Sequence, residues 1–443
     1  MEVETGFEPV YTALQAVASP LGHSTQALSE PHRLLATPSG RRDSNPRPSP
    51  WQGDALPAAL RPHDLSIESK PYPTKHHLSE SGHESGDVGT RTRHDEQVPF
   101  TPLARLGGLW ASDLQEVTSD LAALDTGGRW AVAIPYEGAP VLARFGTWSV
   151  EAPADAVGRW SGPSAADWST SMDEAAYVAA VETTRAAIAA GSVYQANVCR
   201  VMSAVLPRVG DDDIAGLAAL LDAGNPSPYG GFLRLPESDV AIVSASPELF
   251  LQIRPTAEGQ IARSGPIKGT GRTVADLTPK DTAENIMIVD LVRNDLSRVS
   301  VAGSVTVPTL LEVQEHPGLV HLVSYVEARL ASGTSWPDLL DATFPPGSIT
   351  GAPKLAALGL IAVLEPVERE FYCGAFGWVD ADTGEAELAV AIRTFWLRDG
   401  VLRFGTGAGI TWGSDAAAEW RETELKAERL VGVASGTWQA AGP

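Results

Sequence analysis

The 443-residue chain has only two cysteines, Cys199 and Cys373. Two thiols are too few for a disulfide framework or a cysteine-rich zinc site, and such sparse use is compatible with a reducing compartment. The sequence also lacks the apolar run of about 18 residues that a membrane-spanning helix needs, and its N-terminus lacks the basic-then-apolar pattern of a secretory signal. These absences predict a cytoplasmic protein that does not enter a membrane.

Positive charge is also scarce. The chain has 33 lysines and arginines against 55 aspartates and glutamates, for a net charge of −22. Phosphate backbones and anionic lipid surfaces select basic faces, so this balance argues against binding to nucleic acid or to membranes. An anionic small substrate would need local cations or a metal ion. The hydrophobic content of 43% suits a globular protein with a substantial core.

Residues 1–97 differ in composition from the rest of the chain. They contain seven of the nine histidines and 11 of the 33 prolines, with no sustained helical or strand period. Such a segment buries too little apolar surface to offset its ordering entropy. We therefore predict that residues 1–97 are a disordered or spurious extension without a function, and that residues 98–443 form the functional domain. A metal-binding histidine tail is the alternative, although the histidines lack ligand-like spacing.

The sequence after residue 98 has blocks of strand pattern and blocks of helix pattern. Ser171 is predicted to cap a helix with Glu174 three residues on, and Tyr177, Val181, Thr184 and Ile188 would then share one face of it. Further helices are predicted over 281–296, 336–343, 353–364 and 416–433, and strands over 193–205, 240–253, 373–379, 388–397 and 401–406. Because strands and helices come in blocks, the sequence predicts an α+β fold.

Two pairs of acidic residues share a spacing of three on predicted helices. Asp281 and Glu284 would project from one face of their helix, and Glu419 and Glu422 repeat the spacing on the last helix. Either pair alone is typical of a solvated helix face. Four carboxylates that converge from two helices would instead need a divalent cation, and oxygen ligands are the preference of Mg²⁺.

Lys268 lies in the glycine-rich stretch SGPIKGTGRT, residues 264–273. Glycines there let the backbone turn and approach a ligand, but a lysine at a loop tip more often faces solvent, so both interpretations stay open. The stretch PPGSITGAPK, residues 345–354, would begin a helix at Pro353 with free N–H groups for an anion. GTGAGI, residues 405–410, is predicted to be a second turn that exposes its backbone.

Two further polar residues interrupt apolar strand patterns. Arg393 stands in the run AVAIRTFWL, so it lies either at a sheet edge or against a buried counter-ion, and a guanidinium is well suited to bind a carboxylate. His321 has apolar neighbours, and a core histidine and a catalytic one are equally compatible with that setting.

Taken together, these motifs resemble those of the chorismate-utilising enzymes, which include anthranilate synthase component I, aminodeoxychorismate synthase component I, and the isochorismate and salicylate synthases. The resemblance implies two facing antiparallel β-sheets with helices packed outside and an active site between the sheets. It spans about residues 173–429 and rests on these motifs in order: GSVYQANV, SASPELF, PIKGT, AENIMIVDLVRNDL, HPGLVHLVS, FPPGSITGAPK, CGAFGW, AIRT, GAGI and EWRETELK.

The resemblance also implies roles for individual positions. Lys268 would be a catalytic nucleophile, Glu248 a general acid, and His321 a catalytic group that orients or protonates a ring substituent. Without the resemblance, Glu248 would be interpreted as an exposed residue at a strand end. Relatives often have Glu where this chain has Asp281, so this shorter side chain would reach the metal through a water. Mg²⁺ would be held by Asp281, Glu284, Glu419 and Glu422. The substrate would be held by Gln195, Thr350, Trp378, Arg393, Gly407, Gly409 and Lys426.

Two positions distinguish the reactions within the family. Anthranilate synthases resemble PIAGT where this chain has PIKGT, so Lys268 implies amination of chorismate at C4, a step toward 4-aminobenzoate and folate. Isochorismate synthases have a lysine where this chain has Gln195, which implies ammonia as the nucleophile. Because the chain has no glutaminase motif, a separate glutamine amidotransferase subunit would supply the ammonia. The alternatives are an anthranilate synthase, which eliminates pyruvate, and a non-catalytic chorismate-binding regulatory protein.

Overall fold

A long antiparallel β-sheet organises the protein. The computed structural model describes residues 100–154, 156, 158–207, 212–271, 273–316 and 319–438, so the predictions for residues 1–97 lie outside the described part of the chain. The strands are β1 (Leu103–Leu106), β2 (Leu109–Thr118), β3 (Arg129–Ile134), β4 (Val141–Ser149), β5 (Ser169–Thr170), β6 (Gln195–Val205), β7 (Tyr229–Leu235), β8 (Val240–Ser246), β9 (Leu249–Thr256), β10 (Gly259–Gly265), β11 (Ile267–Gly271), β12 (Thr306–His316), β13 (Leu319–Arg329), β14 (Gly351–Ala352), β15 (Ala375–Asp380), β16 (Glu385–Val390), β17 (Thr394–Arg398) and β18 (Val401–Ile410). The α-helices are α1 (Glu174–Ala189), α2 (Ile214–Gly224), α3 (Pro279–Ser297), α4 (Trp336–Thr343), α5 (Lys354–Leu364) and α6 (Ala416–Ala434).

The sheet has two halves that are joined by one strand. The first half has the order β14–β6–β18–β17–β8–β7–β1. The second has the order β4–β3–β15–β16–β9–β10–β13–β12. Strand β2 pairs with both β1 and β4, which makes the sheet continuous. All of these pairings are antiparallel, and the predicted α+β class is confirmed.

Both halves contribute to the largest hydrophobic core. Trp130 and Leu388 of the second half share that core with Ile242 and Trp396 of the first. Val243, which follows Ile242 and therefore points to the opposite face of the strand, belongs to another core formed with α2 and α6. The first half is thus buried on both faces, by the second half and by helices. Full burial of each large apolar side chain stabilises the fold by about 1.5–3 kcal/mol.

The helix that was predicted after Ser171 forms, but another residue caps it. The Asp173 carboxylate accepts a hydrogen bond from the Ala176 amide, which makes Asp173 the N-cap of α1. Ser171 instead accepts a hydrogen bond from the amide of Val201 on β6. The predicted apolar face is confirmed at its first three positions, Tyr177, Val181 and Thr184, which are buried, whereas Ile188 is half-buried. None of the helices in the described ranges is long and apolar enough to span a membrane.

Two strand predictions and one turn prediction need correction. The stretch 240–253 is two strands, because Pro247 and Glu248 separate β8 from β9. The stretch 388–397 is also two strands, and Arg393 lies between them with a left-handed φ of 52°. The predicted turn at 405–410 is wrong, since GTGAGI continues β18 and pairs with β6. A Cβ atom at Gly407 would lie 2.6 Å from the Val198 carbonyl oxygen, so this glycine serves close strand contact rather than a turn.

Candidate active site

Ser348 connects the two residues that the resemblance marks as nucleophile and acid. The Lys268 ammonium on β11 donates a hydrogen bond to the Ser348 carbonyl oxygen over 2.9 Å. The Glu248 carboxyl accepts hydrogen bonds from the Ser348 hydroxyl and from the Ile267 amide. Glu248 is only 4% exposed, and Lys268 is half-buried on a strand. The interpretations of Lys268 as a solvent-facing loop lysine and of Glu248 as an exposed residue are therefore wrong.

The surroundings of Glu248 favour its protonated form. Burial raises the pKa of the Glu248 carboxyl, while the Ser348 hydroxyl and the Lys268 ammonium act in the opposite direction. A carboxyl group with a raised pKa can hold a proton for a leaving group at neutral pH. Position and electrostatics thus both suit Glu248 to general acid catalysis.

Arg393 is half-buried and close enough to Glu248 for their charges to interact. Burial lowers the pKa of Arg393, the neighbouring Arg429 acts in the same direction, and Glu248 opposes both. Within the described residues, the Arg393 side chain forms no hydrogen bond or close ion pair. A half-buried guanidinium without a close carboxylate partner is suited to bind a substrate carboxylate.

Gln195 and Gly409 face the amine of Lys268. Gln195 is 1% exposed, and neither its amide nitrogen nor its amide oxygen has a hydrogen-bond partner in the described structure. A Cβ atom built on Gly409 would lie 2.5 Å from the Gln195 amide nitrogen and 3.5 Å from the Lys268 amine. Leaving a buried polar group unpaired costs about 1–3 kcal/mol. A polar ligand beside Gly409 would supply the hydrogen-bond partners that the Gln195 amide lacks.

Carboxylates from α3 and α6 converge, which the spacing alone left open, and a lysine lies between two of them. The Lys280 ammonium is 2.8 Å from the Glu419 carboxylate and 3.6 Å from the Glu284 carboxylate. Glu422 pairs with Lys426 on its own helix at 2.7 Å, and that ammonium lowers the pKa of Glu422. The two acidic pairs therefore share one charged region.

Asp281 has a different role at the start of α3. Its carboxylate accepts hydrogen bonds from the Thr278 amide at 2.8 Å and the Thr278 hydroxyl at 2.7 Å. This reciprocal arrangement is a capping box, which satisfies backbone N–H groups at a helix N-terminus. One oxygen of the Asp281 carboxylate, Oδ2, is thus engaged in the helix cap.

The carboxylates of α3 and α6 meet some of the needs of a divalent cation. Within the described ranges, no group of three or more His, Cys, Asp or Glu side chains is arranged to hold a metal ion. Glu284 and Glu419 fit one by their chemistry, because they are adjacent buried oxygen donors, and Glu284 Oε1 has no hydrogen-bond partner. Burial raises the pKa of Glu284, against the charges of Lys268 and Lys280. Asp281 uses only its Oδ2 oxygen in the cap, and its Oδ1 oxygen forms no hydrogen bond within the described residues.

Two of the remaining predicted residues, His321 and Thr350, are buried. His321 is buried on β13, and the strand register places it opposite Thr270, two residues after Lys268. Thr350 is buried, and its hydroxyl donates to the Pro346 carbonyl at 3.2 Å.

Lys426 donates to the Gly407 carbonyl at 3.0 Å, so these two predicted substrate contacts are joined to each other. The ring of Trp378 lies 4.4 Å from the Arg129 guanidinium, at a part of β15 that pairs with β3. The structure does not bring Trp378 to the group around Lys268.

Sequence reasoning missed Ser348 and Lys280. Ser348 lies inside PPGSITGAPK, a pattern that predicts a helix start with free N–H groups and gives the serine no signal of its own. Lys280 directly precedes Asp281, and the acidic spacing there does not include the cation. Buried carboxylates that converge need a positive charge nearby, and this requirement points to Lys280.

The comparison with known families agrees with this geometry. Residues 149–432, which include every side chain of the site described above, match the family of chorismate binding enzymes. The fold and the match define the class of protein: the chain belongs to the chorismate binding enzymes.

Individual relatives can be named in turn. The chain is 39% identical over 276 residues to aminodeoxychorismate synthase component 1 of Klebsiella aerogenes, a match that covers 60% of this chain and 59% of that protein. It is 38% identical over 276 residues to anthranilate synthase component 1 of Streptomyces coelicolor, covering 60% of this chain and 52% of that protein. The chain thus matches between half and three fifths of the length of these relatives.

Solved structures show the same fold. Anthranilate synthase component I from Streptococcus pneumoniae superposes with a TM-score of 0.60 at 24% identity, covering 86% of this chain and 98% of that chain. A 2,3-dihydroxybenzoate-specific isochorismate synthase from Bacillus anthracis gives a TM-score of 0.62 at 20% identity, covering 76% of this chain and 97% of that chain. At these identities the likeness concerns the fold alone.

Proposed function

We propose that the chain aminates chorismate at C4 and yields 4-amino-4-deoxychorismate. The observation that carries this proposal is the Lys268 amine, which Ser348 holds beside the buried acid Glu248. The similarity to aminodeoxychorismate synthase component 1 of Klebsiella aerogenes supports the same activity. A nucleophile and an acid in one pocket have no use in a purely regulatory chorismate-binding protein.

The first step is attack of the neutral Lys268 amine on ring carbon C2 of chorismate. The two ring double bonds shift by one position, the C4–oxygen bond breaks, and Glu248 protonates the departing hydroxyl, which leaves as water. The amine loses its extra proton after the C2–nitrogen bond has formed. A difficult displacement is thereby divided into two easier steps.

The second step releases the lysine. Ammonia attacks C4, the double bonds shift back, and the C2–nitrogen bond breaks, which returns Lys268 to its free form. The balance is one chorismate and one ammonia consumed, with one aminodeoxychorismate and one water formed. We propose that a separate glutamine amidotransferase supplies the ammonia, in keeping with the designation of the relatives as component 1.

Other residues of the site would hold the substrate. Arg393 is placed to bind a carboxylate, and the unpaired amide of Gln195 can bind the incoming ammonia or a ring hydroxyl. Mg²⁺ would be held by Glu284 and Glu419 with Glu422 next to them, and when bound it would neutralise a substrate carboxylate. Asp281, whose Oδ2 oxygen caps α3, would reach the ion through a water.

The proposal is tested with Lys268→Ala and Lys268→Arg. Both variants should lose amination of chorismate with ammonium as the nitrogen source, because neither offers a neutral primary amine to C2. Intact-mass analysis should detect a chorismate-derived adduct on the parent protein only. Turnover of Lys268→Ala at the parental rate would overturn the covalent step.

A second candidate is anthranilate synthase, which is favoured by the 38% identity to the Streptomyces coelicolor protein. It shares amination but adds elimination of pyruvate. The two activities differ in their products, so product identification separates them.

A further inference from the structure

We infer that Lys280 is a built-in counter-ion of the Glu284–Glu419 pair, which a divalent cation must displace in order to bind. The inference rests on the proposed metal site and adds to it a residue that sets the affinity for the cation. No role for Lys280 follows from the acidic spacing itself.

The contacts of Lys280 place its charge between two helices that are distant in sequence. Its ammonium is 2.8 Å from Glu419 on α6 and 3.6 Å from Glu284 on its own helix α3. It also lies 3.4 Å from the Ser414 hydroxyl, just before α6. The lysine therefore joins the starts of α3 and α6 at the point where their carboxylates meet.

The charge balance explains why a cation is needed there. Glu419 is 3% exposed, and Glu284 is also buried, so two negative groups lie close together with little water to screen them. Asp281 and Glu422 add further negative charge nearby, while Lys268 contributes positive charge from the side of β11. Lys280 is the one lysine that contacts a carboxylate from each acidic pair among the described residues.

The side chain of Lys280 can also leave. It is about two-fifths exposed, at 38%, whereas its partner Glu419 is fixed and buried. A lysine is a compact point charge on a flexible stem, so it can turn toward solvent without disturbing α3. An ammonium and a divalent cation cannot occupy the same space between two carboxylates, so binding of one requires release of the other.

This competition predicts opposite effects of removing the ammonium. Lys280→Met should destabilise the metal-free protein, because the buried carboxylates then repel each other without compensation. The same change should strengthen binding of Mg²⁺, because the ion no longer competes with the lysine. A residue that merely ties two helices together would lower stability equally with and without the ion, and would leave the affinity unchanged.

The experiment measures Mg²⁺ binding to the full chain by titration calorimetry without chorismate, together with melting temperatures in EDTA and in Mg²⁺. Lys280→Met should bind Mg²⁺ about tenfold more tightly than the parent and show a larger rise in melting temperature on adding the ion. The control is Arg293→Met, which removes a surface cation from the same helix where it pairs with Asp290 at 2.9 Å, and it should match the parent. Lys280→Gln gives the same comparison if the Met variant does not fold.

Unchanged or weaker Mg²⁺ affinity in both Lys280 variants would overturn the inference. A parent protein that binds no Mg²⁺, or a Glu284→Gln/Glu419→Gln variant that binds it as the parent does, would overturn the inference together with the metal site. Amination through Lys268 is measured separately, so its failure is distinguishable from either result.

Discussion

At the scale of single residues, Ser348 determines how Lys268 and Glu248 act together. Its carbonyl oxygen fixes the lysine amine and its hydroxyl donates to the glutamate. A single residue thereby contacts the proposed nucleophile through its backbone and the proposed acid through its side chain. The two functions can be separated by mutation, because Ser348→Ala removes only the hydroxyl.

Ser348→Ala should change the pH dependence of amination in a defined direction. The Ser348 hydroxyl bonds the charged form of Glu248 and so keeps its pKa lower than burial alone would set it. Loss of the hydroxyl should raise the pKa of Glu248 further. Because a general acid must be protonated, its activity is lost as pH rises through its pKa, and this alkaline limb should move to higher pH in the variant.

The measurement is the pH profile of kcat/KM for chorismate, with the concentration of free ammonia held constant. Glu248→Gln serves as the comparison, since it should lose the limb together with most of the rate, by about 10²-fold or more. An alkaline limb that stays in place or moves to lower pH in Ser348→Ala would contradict the assignment of Glu248 as the acid.

At the scale of elements, two glycines of β18 have different roles: Gly407 allows close strand contact, and Gly409 leaves space beside Gln195. A Cβ atom on Gly409 would meet the amide end of Gln195, which is a side chain and can move, whereas one on Gly407 would meet the Val198 carbonyl, which cannot. Gly409→Ala should therefore fold normally but lose activity by about 10²-fold through displaced site groups. Gly407→Ala should lose stability.

Melting temperature and kcat measured on the same preparations separate these outcomes. Gly359→Ala in α5 is the matched control, because no atom lies within 4 Å of its added Cβ, and alanine favours a helix by about 0.5–1 kcal/mol over glycine. Full activity in Gly409→Ala would show that this face of β18 does not line the site.

Arg369 connects the elements that position Ser348. It is 1% exposed, pairs with Glu365, and donates to the carbonyls of Ile349 at 2.9 Å and Asn197 at 2.8 Å. Arg369→Leu leaves the buried carboxylate without its partner, which should reduce the free energy of unfolding by about 3–5 kcal/mol.

Urea denaturation provides the comparison for Arg369. Arg185→Leu removes a half-buried arginine whose partner Glu182, three residues earlier on α1, is exposed to solvent, and it should cost less than about 1 kcal/mol. Equal losses in the two variants would mean that Arg369 does not hold the turn Gly347–Ile349 to β6.

The sequence allowed the helices to be predicted better than the strands, for physical reasons. The helical pattern after Asp281 and the buried face of Tyr177 follow from spacing that is local to each segment. The break at Arg393 and the pairing of Gly405–Ile410 with β6 depend on distant strands, which local pattern does not contain. Ser171 and Asp173 are both good cap residues, and only the approach of β6 decides that Ser171 bonds Val201 instead.

The candidate site shows the same division. The motif resemblance identified Lys268, Glu248 and the acidic pairs. Whether these side chains come together in space depends on how distant strands and helices pack, which no motif contains. The placement of Trp378 with Arg129, and of Asp281 in the cap of α3, follows from contacts that no motif encodes.

At the scale of the whole molecule, the site is assembled from segments far apart in the chain. Gln195 begins β6, Glu248 lies between β8 and β9, Lys268 is on β11, and Glu419 is on α6. Their proximity depends on long-range pairing of the continuous sheet, so the activity is a property of the complete fold rather than of any one motif. The reaction of the full chain with chorismate therefore tests whether these segments form one active site.

The most direct test is identification of the product formed from chorismate, ammonium and Mg²⁺, with and without an added aminodeoxychorismate lyase. We predict a non-fluorescent product that yields 4-aminobenzoate and pyruvate only when the lyase is present, and no product with Lys268→Ala. Accumulation of fluorescent anthranilate without the lyase, or recovery of unchanged chorismate from the parent protein, would contradict amination at C4 through Lys268.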